Sequence, residues 1–240
     1  MSDSIDVRPA ESRFHTKIDW LDSWHSFSFS SHYDPRNQHF GLLLVHNDDV
    51  VAPGTGFGQH PHRDMEIVTW VLDGALEHRD SIGTQDVITP GLAQRMSAGT
   101  GIRHSEMNAS RTEPVHLLQM WVPPDTANLE PSYEQRDVSS AYAKGGLFPL
   151  ASGRETDAAI TIHQRDATLW IAKLAPGERA TLPDAPFVHA FVARGSVDLE
   201  GAGTLHAGDA ARLASAGARA IVAGDDGAEL TVWETWSDLT

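Results

Sequence analysis

The chain reads GFGQHPHRDMEIVTWVLDGALEHRDSIGTQDVITPGLAQRMSAGTGIRHSEMN over residues 56–108. Two short groups of metal-ligand residues stand in this stretch, HPH at residues 60–62 and HSE at residues 104–106. Residues at i and i+2 of a β-strand point to the same face, so each group can direct two side chains at one point. Three imidazoles and one carboxylate that converge on a cavity suit a first-row transition metal. The stretch therefore predicts a β-barrel around a metal ion held by His60, His62, His104 and Glu106.

The rest of the chain has the short strand patterns and the Gly and Pro turns of an all-β protein. Residues 24–30 alternate between larger side chains and serines, which indicates a half-buried strand, and residues 66–72 are apolar on both faces. Asp73-Gly74 follows as a hairpin signal. Many short strands separated by Gly and Pro turns are typical of a sandwich or barrel.

The strand pattern is interrupted once and then repeats. Residues 123–156 are dominated by Pro, Ser, charged residues and Gly, and the strand rhythm resumes near residue 158. We therefore expect an N-terminal metal-binding domain at residues 1–130 and a connecting segment at 131–156, with a helical turn near residues 139–144. A C-terminal barrel without metal follows at 157–240, because its histidines stand alone.

Charge and composition narrow the functional classes. The 240 residues carry a formal net charge of -15, from 33 acidic and 18 basic residues, and no cysteine. Such a surface disfavours direct binding to nucleic acid or to anionic membranes. Thiolate ligands and disulfides are excluded. The first residues lack the apolar core of a signal peptide, so a cytoplasmic location is the default expectation.

Several further residues are candidates to support the site. Counting in twos from His60 brings Glu66 to the same face if the strand is regular. Glu66 then either binds the metal, orients a histidine ligand, which we favour, or serves as a structural acid. His78 and Gln119 are weaker candidates, for which a structural hydrogen bond is an equal alternative. Four side chains are candidate pocket walls, with barrel core as the alternative for each: Phe57, Trp70, Met96 and Trp121.

Three motifs carry a resemblance to a known family. They are WLDSWHSFSF at residues 20–29, GQHPHRDME at residues 58–66 and SAGTGIRHSEMN at residues 97–108. With them the chain resembles the pirin family of the cupin superfamily, and within it the bacterial pirin-like quercetin 2,3-dioxygenases. The resemblance is dense from about residue 20 to residue 136 and weaker beyond. Other cupins draw their carboxylate from the position of Glu66, whereas pirins draw it from that of Glu106.

The resemblance implies a fold, a cofactor and a reaction. The fold is a bicupin, two β-barrels of the jelly-roll type packed face to face, with one divalent metal in the N-terminal barrel. Iron(II) is the expected metal, and nickel, cobalt, manganese, copper and zinc stay open, because these ligands accept most such ions. The reaction is the opening of a flavonol heterocycle by dioxygen with release of carbon monoxide. Glu106 is the expected base for the flavonol hydroxyl.

Two other functions stay open at this point. Pirins also include non-enzymatic, redox-sensing regulators that act through protein partners, and the acidic surface leaves such contacts possible. The chain could also be a cupin enzyme for another small oxygenated substrate, because fold and metal ligands do not fix the substrate. The sequence does not give the oligomeric state.

Overall fold

The computed structural model describes residues 4–154 and 157–239, and nearly all of its regular structure is β-strand. Neighbouring strands run antiparallel, apart from β13 and β14, which are parallel. The all-β prediction is confirmed. A short 3-10 helix (Ala10–Ser12) and one α-helix, α1 (Ser139–Lys144), are the helical elements of the described chain.

Two sheets form the N-terminal barrel. The larger has seven strands in the order β12 (Ser132–Asp137), β9 (Leu92–Ser97), β6 (Glu66–Asp73), β11 (Val115–Val122), β4 (Val45–Val51), β3 (Leu21–His25) and β2 (Phe14–Ile18). The smaller has four strands in the order β5 (Gly56–His62), β10 (Ile102–Asn108), β7 (Leu76–Asp80) and β8 (Gln85–Ile88).

One nine-stranded sheet forms the C-terminal barrel. Its main path runs β1 (Ser4–Arg8), β19 (Ala210–Ala214), β17 (Phe187–Leu199), β20 (Ala220–Thr235), β15 (Ala167–Leu174), β13 (Gly146–Ser152) and β14 (Ile160–Thr161). Two short strands lie off this path, β16 (Arg179–Thr181) on β20 and β18 (Gly203–His206) on β17. The first strand of the chain thus belongs to the sheet of the C-terminal barrel, where it pairs with β19.

The largest apolar cluster of the protein lies between the two barrels. It joins Trp70 and Leu118 of the N-terminal barrel to Phe191 and Trp233 of the C-terminal barrel. The N-terminal barrel also has two apolar clusters of its own, around Leu76 and around Met96, and the C-terminal barrel has one around Leu230. Burial of this shared apolar surface favours the face-to-face packing of the barrels, because the hydrophobic gain scales with the area removed from water.

The hairpin predicted at Asp73-Gly74 is wrong. Strands β6 and β7, which flank this turn, lie in different sheets. Strand β6 already pairs with β9 on one edge and β11 on the other, so no edge is left for β7. Gly74 has a φ of 81°, and a Cβ atom there would lie 2.6 Å from the carbonyl oxygen of Pro114. The glycine allows the chain to cross from one sheet to the other.

Two further segments refine the sequence-based picture. The strand expected over residues 24–30 ends at His25, and Ser30 adopts a left-handed φ of 52°. Within residues 131–156, β12 extends the sheet of the N-terminal barrel and β13 that of the C-terminal barrel. The helical turn expected near residues 139–144 is confirmed as α1. The helices of the described residues are all too short or too polar to span a bilayer.

Candidate metal centre

Strands β5 and β10 bring the two ligand groups together. The strands are antiparallel neighbours, and His104 lies directly opposite His60, while Ile102 lies opposite His62. The register shifts between His104 and Glu106, so that Glu106 lies opposite Phe57. Cross-strand partners have neighbouring side chains, so alternation along each strand places the three imidazoles on one face.

The three histidines form a compact group. The ring centroids of His60 and His104 are 4.4 Å apart, and each lies 4.9 Å from the ring of His62. One ligand nitrogen from each ring lies within 4.8 Å of the other two. The Nε2 atoms of His62 and His104 are buried and contact no hydrogen-bonding group of the described chain. Two buried, unpartnered nitrogens in one cluster are what a site able to hold a metal ion would present.

The hydrogen bonding of His60 sets its tautomer. Its Nδ1 lies 2.8 Å from the backbone carbonyl oxygen of Gly58. A carbonyl oxygen only accepts, so Nδ1 must carry the proton and donate it. The lone pair of the neutral ring then stays on Nε2, where it can bind a metal.

Glu106 lies next to His104. Its carboxylate belongs to a second, overlapping set of possible ligands with His104 and His78, whose ligand atoms lie within 4.8 Å of one another. Gln119 Nε2 donates to both carboxylate oxygens, at 3.0 and 2.8 Å, and Trp121 Nε1 donates to Gln119 Oε1 at 3.1 Å. The structure thus groups the three predicted histidines tightly and places the predicted carboxylate next to one of them.

Gln119→Leu is expected to weaken metal affinity by about 10- to 100-fold, because groups that orient a ligand are worth about that much. The substitution removes both hydrogen bonds to Glu106 and leaves the carboxylate free to rotate. Competition with a fluorescent chelator measures the change. Gln85→Leu, an exposed glutamine on β8, is the control, and equal affinities in the two variants would contradict the role of Gln119.

His78 lies behind His104 rather than beside the cavity. Its Nε2 is 3.0 Å from Asp80 Oδ2, and its Nδ1 is 3.5 Å from His104 Nδ1. The side chains of His78 and Asp80 are completely buried. Asp80 thus holds His78, and His78 contacts Nδ1 of His104. This chain of contacts would fix the ring of His104 with its Nε2 directed toward His60 and His62. Of the supporting candidates, His78 and Gln119 therefore contact the group.

Glu66 does not contact the candidate metal ligands His60, His62, His104 and Glu106 (the metal group), contrary to the orienting role expected from the sequence. The regular strand needed for counting in twos is broken at Asp64, whose φ is 46°, and Glu66 begins β6 in the other sheet. Its Oε2 accepts hydrogen bonds from Ser97 Oγ at 2.8 Å and from the backbone N–H of His163 at 3.0 Å. Glu66 is thus a structural acid that ties the N-terminal barrel to the segment at His163.

Burial controls the protonation of the inner histidines. It lowers the pKa of His62 to about 4, and the neighbouring rings of His104 and His60 act in the same direction. The pKa of His104 is lowered to about 3, again mainly by burial. Both imidazoles are therefore neutral at pH 7, the form that binds a metal. The donor set fits a divalent first-row transition metal.

Stripped of metal with a chelator, the protein is expected to lose stability as the pH falls from about 6.5 toward 4. The unfolded histidines have an ordinary pKa of about 6.5 and take up protons that the folded state does not. His46, whose pKa burial lowers to about 3, adds to this effect. Asp49 acts in the opposite direction. Burial raises its pKa to about 7, so the folded state takes up a proton there at a higher pH than the unfolded state does. Between pH 7 and pH 5 each of these three histidines costs about 1.9 kcal/mol and Asp49 returns about 2.3 kcal/mol, so the net loss is on the order of 3 kcal/mol. Urea unfolding at both pH values measures it, and equal free energies of unfolding would refute it.

A cavity of about 270 Å³ opens directly on the metal group, and His60, His62 and Glu106 form part of its wall. Phe57 and Trp121 line it, as the sequence suggested, whereas Trp70 and Met96 are fully buried core residues. The ring of Trp121 meets that of His62 edge to face, with centroids 4.8 Å apart. Two further aromatic residues line the same cavity, Trp20 and Phe29.

A polar wall faces the cavity from β3 and β4, and sequence reasoning missed it. It consists of two cross-strand pairs, Ser23 opposite Asp49 and His25 opposite Asn47. Ser23 Oγ donates to Asp49 Oδ1, and His25 Nδ1 is 2.9 Å from Asn47 Oδ1. The alternation of residues 23 and 25, and of 47 and 49, could have signalled a shared face. The sequence Asn47-Asp48-Asp49 instead resembles a turn, although it lies inside β4.

Comparisons with known proteins agree with this architecture. A family model described as Pirin matches residues 7–122, and one described as Quercetinase C-terminal cupin domain matches residues 149–233. A protein of Mycobacterium tuberculosis named putative quercetin 2,3-dioxygenase is 53% identical over 240 residues, covering 100% of this chain and 98% of its own. The quercetin 2,3-dioxygenase of Escherichia coli K12 is 48% identical over 160 residues, covering 67% of this chain and 68% of its own.

Solved structures show the same fold. The crystal structure of YhhW from Escherichia coli superposes with a TM-score of 0.90 at 38% identity, covering 98% of this chain and 99% of that one. A structure titled bacterial pirin YhhW in complex with nickel(II) superposes with a TM-score of 0.89, also at 38% identity, covering 98% and 100% of the two chains. The expected pair of cupin barrels is confirmed, and the chain belongs to the pirin family.

Proposed function

We propose that this protein is a metal-dependent dioxygenase that opens the heterocycle of quercetin-like flavonols and releases carbon monoxide. The observation that carries the proposal is the position of His60, His62 and Glu106, which form part of the wall of a 270 Å³ cavity with aromatic sides. A buried structural metal would have no such access. The names of the relatives from Mycobacterium tuberculosis and Escherichia coli support the same reaction.

The walls of the cavity suit a flat, polyhydroxylated aromatic molecule. Phe57 and Trp121 offer apolar faces for a ring system, and aromatic contacts favour edge-to-face or offset stacking. Asn47 and Asp49, on the polar wall, offer hydrogen-bond acceptors for hydroxyl groups. A site with these features would bind a flavonol better than an aliphatic acid or a sugar, because few aliphatic molecules match both an aromatic and a polar wall.

We assign the metal to His60, His62, His104 and Glu106, with iron(II) as the physiological ion. When bound, such an ion lowers the pKa of a coordinated hydroxyl and supplies the redox chemistry for dioxygen. Glu106 is the residue that takes the proton of the substrate 3-hydroxyl. Gln119 holds its carboxylate through two hydrogen bonds, so Glu106 meets the hydroxyl in one orientation. The nickel(II) complex of YhhW makes nickel the first alternative ion to test.

The decisive experiment adds quercetin in air to protein loaded separately with iron(II), nickel, cobalt, manganese or copper. Loss of the flavonol absorbance with release of one carbon monoxide per flavonol is the expected result for at least one ion. A comparison with 3-hydroxyflavone, which lacks the other ring hydroxyls, tests the polar wall and should give a higher KM. Absence of turnover with all five ions would reject the proposed reaction and favour another substrate or a regulatory role.

A further inference from the structure

A second, much smaller cavity lies where the N-terminal strand and the two barrels meet. It shares no lining residue with the cavity at the metal group. Arg8 of β1, Arg13 and Ser26 line it from the N-terminal side, and His189 of β17 and Arg212 of β19 line it from the C-terminal barrel. Its volume is about 10 Å³, which is room for one water molecule or one monatomic ion and too little for a polyatomic anion.

Arg212 is a buried cation without a carboxylate partner. The residue is 7% exposed, and no ion pair of the described residues includes it; Asp6, which lies opposite Arg212 on β1, is exposed and contacts Arg8 instead. Nη2 donates to the backbone oxygen of Ser26 at 3.0 Å, and the guanidinium lies 4.4 Å from the ring centre of Phe27. Nε contacts no hydrogen-bonding group of the described chain. A buried charge is normally paired, so this guanidinium calls for a counter-ion.

Of the other polar residues around the cavity, Ser12 donates to the backbone oxygen of Pro9, and the rest are unpartnered or positive. The Oγ atom of Ser26 and both ring nitrogens of His189 are buried and bond to no group of the described chain. Arg13 is paired with Asp48 at 2.9 Å, and Arg8 has only a distant contact of 3.7 Å with the exposed Asp6. The wall thus presents guanidinium, hydroxyl and imidazole donors and no carboxylate of its own. This donor set selects an anion over a cation.

We propose that this cavity binds a single small anion of the halide class, with chloride as the ligand in the cell. A volume for one particle excludes sulfate, phosphate and carboxylates, and the unpaired positive charge favours an anion over a neutral water. The ion would lie in contact with Arg212 and within reach of Ser26 and His189. Since these groups come from both barrels, bound chloride would stabilise the barrel interface independently of the metal.

Thermal unfolding of the full-length, metal-loaded protein tests the proposal. The unfolding midpoint is measured against sodium chloride and against sodium gluconate at matched ionic strength, because gluconate is too large for the cavity. Chloride should raise the midpoint by about 2–5 °C in a saturating manner, since a ligand of the folded state stabilises it by mass action. Equal midpoints in the two salts would overturn the proposal.

Variants and bromide locate the ion. Arg212→Gln should lose the chloride-specific increase, whereas Arg36→Gln, a surface arginine whose side chain is 89% exposed, should keep it. If Arg212→Gln does not fold, Ser26→Ala keeps the guanidinium and should need several-fold more chloride for half of the increase. Crystals grown in bromide should show an anomalous peak beside Arg212. A water at that position without anomalous signal would refute the site.

Discussion

Replacing His62 with alanine is expected to remove stoichiometric metal binding and to lower flavonol turnover by about 100-fold or more. The Nε2 atom of His62 is buried among the rings of His60 and His104 and has no other partner in the described chain. Its removal takes away one of three grouped nitrogens, and the remaining ligands cannot complete the same coordination. Metal content by elemental analysis, followed by the quercetin assay, measures both effects.

The control for this prediction is His206→Ala, an exposed histidine of the C-terminal barrel. It should keep one metal per chain and full turnover. Glu106→Gln and His78→Gln in the same series separate the two overlapping ligand sets around His104. We expect Glu106→Gln to lose turnover and His78→Gln to keep a weaker-binding metal. One tightly bound metal per chain in His62→Ala would show that the site is assigned to the wrong residues.

Trp70→Ala is expected to destabilise the protein by about 3–5 kcal/mol, the usual cost of emptying a buried tryptophan site. Trp70 is fully buried in the cluster between the barrels, and its Nε1 donates to Glu229 Oε1 at 3.0 Å. The substitution leaves a cavity and removes one of the donors to the buried carboxylate of Glu229. The free energy of unfolding in guanidinium chloride measures the loss.

Trp70→Phe divides that loss into its parts. The phenyl ring keeps most of the packing, including the edge-to-face contact with Tyr142, but removes the hydrogen bond, so we expect a loss of about 1–3 kcal/mol. Trp236→Phe, on a side chain that is 43% exposed, should cost less than either. Metal content should be unchanged in all three variants at temperatures where they are folded. A selective loss of metal in Trp70→Phe would instead show that Trp70 supports the cavity wall.

The part of the site that the sequence predicts is the part that depends on local geometry. The spacing of two in residues 60–62 and 104–106 places side chains on one face whatever the sheet order is. The pairing of β5 with β10 then only has to bring the two faces together. The same reasoning explains why the helical turn at residues 139–144 and the all-β class could be predicted.

The rest of the site depends on long-range pairing that a local pattern does not contain. Counting in twos from His60 puts Glu66 on the cavity face only if the strand continues through Asp64, and the backbone leaves the strand there. Asp73-Gly74 has the residues of a hairpin, but β6 has no free edge. The polar wall depends on the pairing of Ser23 with Asp49, 26 residues apart. Such contacts follow from sheet order rather than from residue periodicity.

The position of β1 has a consequence for synthesis on the ribosome. Residues 4–8 are made long before their pairing partner, which spans residues 210–214. Domains generally fold as they leave the ribosome, N-terminal first. The N-terminal barrel can therefore form while β1 is still unpaired. Its closure is the most non-local strand pairing of the described chain, and loop-closure entropy makes such contacts slow. Until then the edge of β19 is open, and nascent chains held close together on one messenger could exchange their first strands at that edge.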